Sequence, residues 1–145
     1  MIKMITLLKR NPNLTREEFS EHWRTVHARL VRELPEVSIC LRRYVQNQMI
    51  FGSAEAAEEF GGVGIPSDDF DFDGIMEAYF DSMADMTRMT TSDSYLTFIR
   101  PDEQHLVDAA RCKVYLTEET IVVDVDKRPV AEEQLTARHA THDAR

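Results

Sequence analysis

The segment from Leu14 to Leu34, LTREEFSEHWRTVHARLVREL, encodes both ends of a helix, and it constrains the fold more tightly than any other stretch. Thr15 is placed to cap the N-terminus, and Glu18, three residues on, to bond back to the Thr15 amide; together they make a capping box. Leu14 and Phe19 take the two positions of a hydrophobic staple. Pro35 disfavours helix at its predecessor, so the helix stops near Leu34. The apolar residues Phe19, Trp23, Val26, Leu30 and Leu34 are spaced by four, three, four and four, which is one helical stripe. At about 100° per residue, with the stripe centred near Leu30, His27 lies roughly 60° to one side and His22 roughly 80° to the other. Both histidines therefore fall at the seam between buried and wet surface. That place suits an ordinary flank residue, or a side chain that touches a bound molecule while exchanging protons.

The remaining elements follow from periodicity. Residues 2–9 read as a strand with Ile2, Met4 and Leu8 on one face and Ile5 and Leu7 on the other, so both faces are expected to be covered. Asn11-Pro12-Asn13 turns the chain into the helix. A second strand is expected over 41–50, with Leu41, Val45 and Met49 on one side and Arg42, Tyr44, Gln46 and Gln48 on the other. Residues 51–69 look like a loop insertion, 72–80 a third strand, and 81–93 a helix. Residues 94–99 fit no single element. A short helix over 102–110 is opened by Pro101, and 112–125 reads as a long final strand. The chain divides into one domain, 1–125, and a polar tail, 126–145. The order β, α, β, β, α, β gives an α+β class and a ferredoxin-like βαββαβ arrangement with helices on one face of the sheet. The apolar second face then asks for a partner, and a homodimer through the sheet faces would supply it.

Charge and motifs exclude several function classes. The formal net charge of −9 over 145 residues argues against nucleic acid and anionic membrane as partners. Cys40 and Cys112 form no CxxC pair, which fits a reducing compartment. MIKMITLLKR has no signal-peptide pattern, so a cytoplasmic location is expected. DFDFDG, residues 69–74, opens like a calcium loop, but the twelfth position is Phe80 instead of a bidentate glutamate. GGVG, residues 61–64, lacks a following GK[ST] and so is not a phosphate loop. His139 and His142, three apart, could clamp a metal on a helix, but they lie in the polar tail with no carboxylate or cysteine in ligand spacing apart from Asp143, so a chance pair is the reading. His22 and His27, five apart, are about 140° apart on a regular helix and do not share an ion. No metal and no cofactor is expected.

These residues carry a resemblance. KRNPNLTREEFSEHWRTVHARLVRELPEV followed by RRYVQN resembles the EthD domain family of the dimeric α+β barrel superfamily. The matching residues are Lys9, Arg10, Thr15, Glu17, Glu18, Phe19, His22, Trp23, His27, Arg43, Tyr44, Gln46 and Asn47; DGIMEAYF and PDEQHLVD resemble the family's third strand and its Asp-Glu helix. The resemblance spans roughly residues 1–125, and the 51–69 segment is longer than the family pattern. It implies a ferredoxin-like fold dimerised through its sheets and a pocket between helices and sheet. It also implies a small enzyme working without cofactors, of lactone isomerase, dehydratase, polyketide cyclase or decarboxylase type, with the helix histidine matching His27 as the acid–base group.

The expected chemistry starts from a small, largely apolar carbonyl compound. Neutral His27 removes a proton beside the carbonyl and later returns it. Trp23, four residues earlier, forms a pocket wall. Tyr44 donates its hydroxyl to the developing enolate oxygen, or is a plain sheet residue. Asn47 and Asp102 are expected at the pocket. Asp102 or Glu103 is placed to orient a histidine; the alternative, which the spacing favours, is helix capping by Asp102 and dipole pairing by Glu103. The competing readings are a non-catalytic accessory binding protein for an oxidative pathway, a cofactor-independent oxygenase, and a structural dimer without a ligand.

Overall fold

Strands β1 (Ile2–Leu8), β2 (Arg43–Gln48), β3 (Gly74–Phe80) and β4 (Lys113–Glu118) form one sheet in the computed structural model, which describes residues 1–49 and 72–123. The order is β2-β3-β1-β4 and every pairing is antiparallel. Met4 of β1 faces Ala78 on one side and Leu116 on the other, and Tyr44 of β2 also faces Ala78. β1 and β2 therefore run parallel without touching, which is the split βαβ arrangement of a ferredoxin-like α+β fold. Residues 50–71, with the 51–69 insertion, GGVG and the first half of DFDFDG, lie outside the described residues, as does the tail with His139 and His142.

The first helical arm comprises α1 (Arg16–His22), a wide π-type turn (Trp23–His27) and α2 (Ala28–Glu33), followed by the short α3 (Pro35–Ser38). Its start is as expected. The Thr15 hydroxyl accepts the Glu18 amide at 3.1 Å and Glu18 accepts the Thr15 amide at 2.8 Å. Its interior differs. The Ala28 amide donates to the Trp23 carbonyl, five residues back instead of four. That wider turn adds a residue to the helical repeat. The buried stripe becomes Phe19, Trp23, His27 and Val31, one residue in four, while Val26 and Leu30 are only partly buried. His27 thus moves from the seam into the middle of the buried face, with 5% of its surface exposed.

The second arm is α4 (Met83–Thr90), capped by Ser82, then a second wide turn (Tyr95–Ile99) that runs into α5 (Arg100–Leu106). The stretch that fitted no single element is thus the wide turn itself. Both arms pack on one face of the sheet. One core cluster gathers Val31, Val37, Ala78, Phe80, Met89 and Ile99; a second gathers Leu8, Phe19, Trp23 and Leu106. Gly74 admits Trp23: a Cβ there would lie 2.5 Å from the indole Cζ3.

Strand β2 is shorter than its expected range, and its polar side is the one turned to the helices. The Gln46 side-chain amide donates to the Trp23 carbonyl at 2.8 Å, and Ser20 donates to the Gln48 side chain at 2.9 Å. Tyr44, Gln46 and Gln48 thus face the helices, and Val45 and Asn47 face the open side. β4 also ends sooner than expected, at Glu118. The open face carries Ile5, Leu7, Val45 and Ile75, and a polar cluster at one end. In that cluster Lys3 pairs with Glu77 at 2.7 Å and Glu119 at 3.1 Å, beside the Tyr79 ring.

Asp73, the last acid of DFDFDG, is turned inward. Its carboxylate accepts the Arg10 amide at 2.9 Å and sits 3.3 Å from Arg10 Nε and 3.6 Å from Lys9 Nζ, with 1% of its side chain exposed. It closes the β1–helix connection against β3 as a buried, paired anion.

Candidate functional site

A cavity of about 320 Å³ lies between the helical arms and the sheet. Its walls are mostly apolar: Met4, Leu8, Val31, Met76, Ala78 and Ile99 among others. Four polar side chains that matter for chemistry also line it: His27, Tyr44, Tyr95 and Glu103. A few convergent polar groups in an apolar pocket is the usual composition of a small-molecule site.

His27 is held from behind. Its Nδ1 is 2.8 Å from Asp102 Oδ2, and His22 Nε2 is 2.6 Å from Asp102 Oδ1. One carboxylate thus spans two histidines. The wide turn makes this geometry: residues five apart fall on one side of a π-type turn, so His22 and His27 converge where a regular helix would hold them apart. Asp102 stands on the first turn of α5, next to Pro101, and reaches across to the first arm. Burial pushes its carboxyl up, but hydrogen bonds from His27 and His22 outweigh that and hold it below the ordinary aspartate range. It does not cap its helix, and it stands behind the cavity wall instead of in it. With an anion on Nδ1, the ring carries its proton there when neutral, which leaves Nε2 as the basic nitrogen of a cavity-lining imidazole.

The Tyr44 ring centroid lies 6.2 Å from that of His27. Burial pushes its hydroxyl up to about 12, while hydrogen bonding with the Trp23 and Gln46 side chains pulls the other way. The phenol therefore stays protonated at neutral pH and is available as a donor. Trp23, 1% exposed, is among the residues that line the cavity. Asn47 is not brought to the cavity. It is exposed on the open side, its amide donating to the Ile75 carbonyl and to Glu77, each at 3.1 Å. The cause is strand parity, because Gln46 takes the inward position to satisfy the Trp23 carbonyl.

Tyr95 escaped the sequence, and Glu103, weighed there only as a histidine orienter or a dipole partner, takes a different place. Tyr95 donates to both Glu103 oxygens, at 2.8 and 2.9 Å. Burial pushes the Glu103 carboxyl above the usual glutamate range, against the pull of the Tyr95 hydrogen bond. Burial and the Glu103 charge likewise raise the Tyr95 hydroxyl. The eight-residue spacing between them gave no signal, because the wide turn separates the two on the chain. Among the described residues, no group of three or more His, Cys, Asp and Glu side chains is arranged to hold a metal ion. Among them also, no helix is long and apolar enough to cross a membrane.

An antiparallel four-stranded sheet with both helical arms on one face defines a ferredoxin-like α+β fold. The model of the EthD domain matches residues 11–110, and the chain belongs to the EthD domain family. Among solved structures it is similar to an ethyl tert-butyl ether D (EthD) family protein from Bacillus halodurans C-125, at 19% identity and TM-score 0.56, over 83% of this chain and 99% of that one. It is similar to a DABB family protein with a ferredoxin-like fold from Mesorhizobium loti MAFF303099, at 10% identity and TM-score 0.55, over 82% and 96% of the two chains. A third similar structure is a dimeric ferredoxin-like protein from Bacteroides fragilis NCTC 9343, at 13% identity and TM-score 0.54, over 81% and 95%. At these identities the likeness shows the fold. No curated protein matches this chain in sequence.

Proposed function

We propose that this chain binds a small, largely apolar carbonyl compound in the cavity and moves a proton on it through His27, without a cofactor. The observation that supports this most is the Asp102 carboxylate on His27 Nδ1, 2.8 Å away, behind an imidazole that lines an apolar cavity. His27 Nε2 takes a proton from the carbon beside the carbonyl. The electron pair moves onto the carbonyl oxygen, where the Tyr44 hydroxyl donates to it. Return of the proton at the same or another carbon completes an isomerisation; departure of a neighbouring group completes an elimination. The open sheet face, apolar at Ile5, Leu7, Val45 and Ile75, is covered by a second copy of the chain, in keeping with the dimeric protein from Bacteroides fragilis on the same fold.

The test is α-proton exchange into 2-tetralone in deuterated water, followed by proton NMR, with binding of the same ketone measured in parallel. The wild type is expected to accelerate exchange and His27→Gln to bind without accelerating it. Binding by the wild type without exchange would support the accessory binding protein instead.

A further inference from the structure

Two polar residues of the cavity lining, Tyr95 and Glu103, are not used by the proton-transfer reading. Tyr95 comes from the second wide turn and Glu103 from α5, and both line the cavity. The Tyr95 hydroxyl is committed to Glu103, touching both of its oxygens at 2.8 and 2.9 Å. That clamp fixes the carboxyl in one rotamer at the wall of an apolar space, where burial disfavours its charged form.

The charged and titratable groups around Glu103 come from every packed element. They are His27 from the first arm, Tyr44 from β2, Tyr95 from the second wide turn, and Asp102 and Arg100 from α5. Arg100 also lines the cavity, as an exposed residue whose guanidinium lies over the Tyr95 ring at 5.6 Å. Beside His27, therefore, the lining offers an acid, two phenols and one exposed cation, Arg100.

We infer that Glu103, clamped by Tyr95, is a second ligand-binding group of this cavity and selects an uncharged ring compound bearing a hydroxyl or carbonyl oxygen over a carboxylate. This rests on the proposal that the cavity is the ligand site, but not on the chemistry of His27. A neutral hydroxyl donates to the Glu103 carboxylate or accepts from its protonated form, so either state is satisfied. A carboxylate meets repulsion from the ionised form, and in an apolar cavity it loses its hydration, while the lining cation, Arg100, sits on an exposed residue over the Tyr95 ring. At about 320 Å³ the space is at the small end of the ~300–1,000 Å³ range of ligand pockets, which suits a compact ring compound.

Titration calorimetry with 2-naphthol and 2-naphthoate, two probes of nearly equal shape, tests it. The wild type is expected to bind the naphthol about tenfold or more tightly than the naphthoate, the size of one buried polar mismatch. Glu103→Gln offers the carboxylate an amide donor, and the ratio is expected to fall to about threefold or less. Tyr95→Phe removes the clamp and is expected to lower it partway; it reads the same selectivity should Glu103→Gln not fold. Equal or tighter binding of naphthoate by the wild type would assign this part of the lining to Arg100 and overturn the inference. An unchanged ratio in Glu103→Gln would overturn Glu103's part alone. Binding of neither probe would overturn the cavity as the ligand site as well.

Discussion

Asp102 accepts from His27 Nδ1 at 2.8 Å with one oxygen and meets His22 Nε2 at 2.6 Å with the other, so a residue on the second arm decides which nitrogen of His27 is left basic. The pair joins the two helical arms as well as preparing the ring. Its consequences for stability can be measured apart from any reaction.

Asp102→Asn keeps the shape and removes the charge. The folded carboxyl titrates below its ordinary value, so the unfolded chain binds its proton first as pH falls. The stability it supplies is present above the ordinary aspartate value of about 3.9 and is lost as pH drops through the lowered one. Urea unfolding at several pH values is expected to show wild type more stable than Asp102→Asn near neutrality, with the gap closing below about pH 4. A gap that stayed constant to low pH would mean the carboxylate's charge is not what holds the histidines.

Glu103 has the opposite sign. Its folded carboxyl titrates above the ordinary value, so the folded state holds the proton longer and stability falls as pH rises through about 4.3 toward the raised value. Glu103→Gln is therefore expected to gain on the wild type over that window and to match it at lower pH. The same urea series reads it, and a variant that lost ground with rising pH would contradict the direction.

The helix start was legible to the atom: Thr15, Glu18 and Leu14 are local signals, and local signals survive folding. The sheet order and the place of both arms followed from the order of elements. The inward turn of His27 was not legible, because periodicity assumes a regular repeat and the Trp23–His27 turn breaks it. The same break hid the convergence of His22 and His27 on one acid. Asn47 was misplaced for a different reason. Tyr44 and Asn47, three apart on one strand, do not share a face; Tyr44 turns inward with Gln46 and Gln48, which meet the Trp23 carbonyl and Ser20. Tertiary hydrogen bonds of this kind leave no mark on a single strand's sequence.

Gly74→Ala places a methyl 2.5 Å from the Trp23 indole. The side chain must shift, at a cost of about 1–3 kcal/mol for overpacking. Trp23 is the sole tryptophan, so its emission reports the shift directly. A lower melting temperature with altered fluorescence is expected; a silent substitution would mean the indole does not rest on β3.

Leu7→Glu puts a charge in the middle of the open sheet face, opposite Ile75. The wild type is expected to sediment as a dimer and the variant as a folded monomer, because an unpaired charge is costly to bury in an interface. A monomeric wild type would leave the open face to another partner.

The most direct test of the His27–Asp102 unit is a double-mutant cycle on 2-tetralone exchange with His27→Ala, Asp102→Asn and the pair. General acid–base help is worth roughly a hundred- to ten-thousand-fold, so His27→Ala is expected to lose about that much. If Asp102 acts only through His27, the double variant loses no more than His27→Ala alone. Additive losses, or wild-type exchange in His27→Ala, would contradict it.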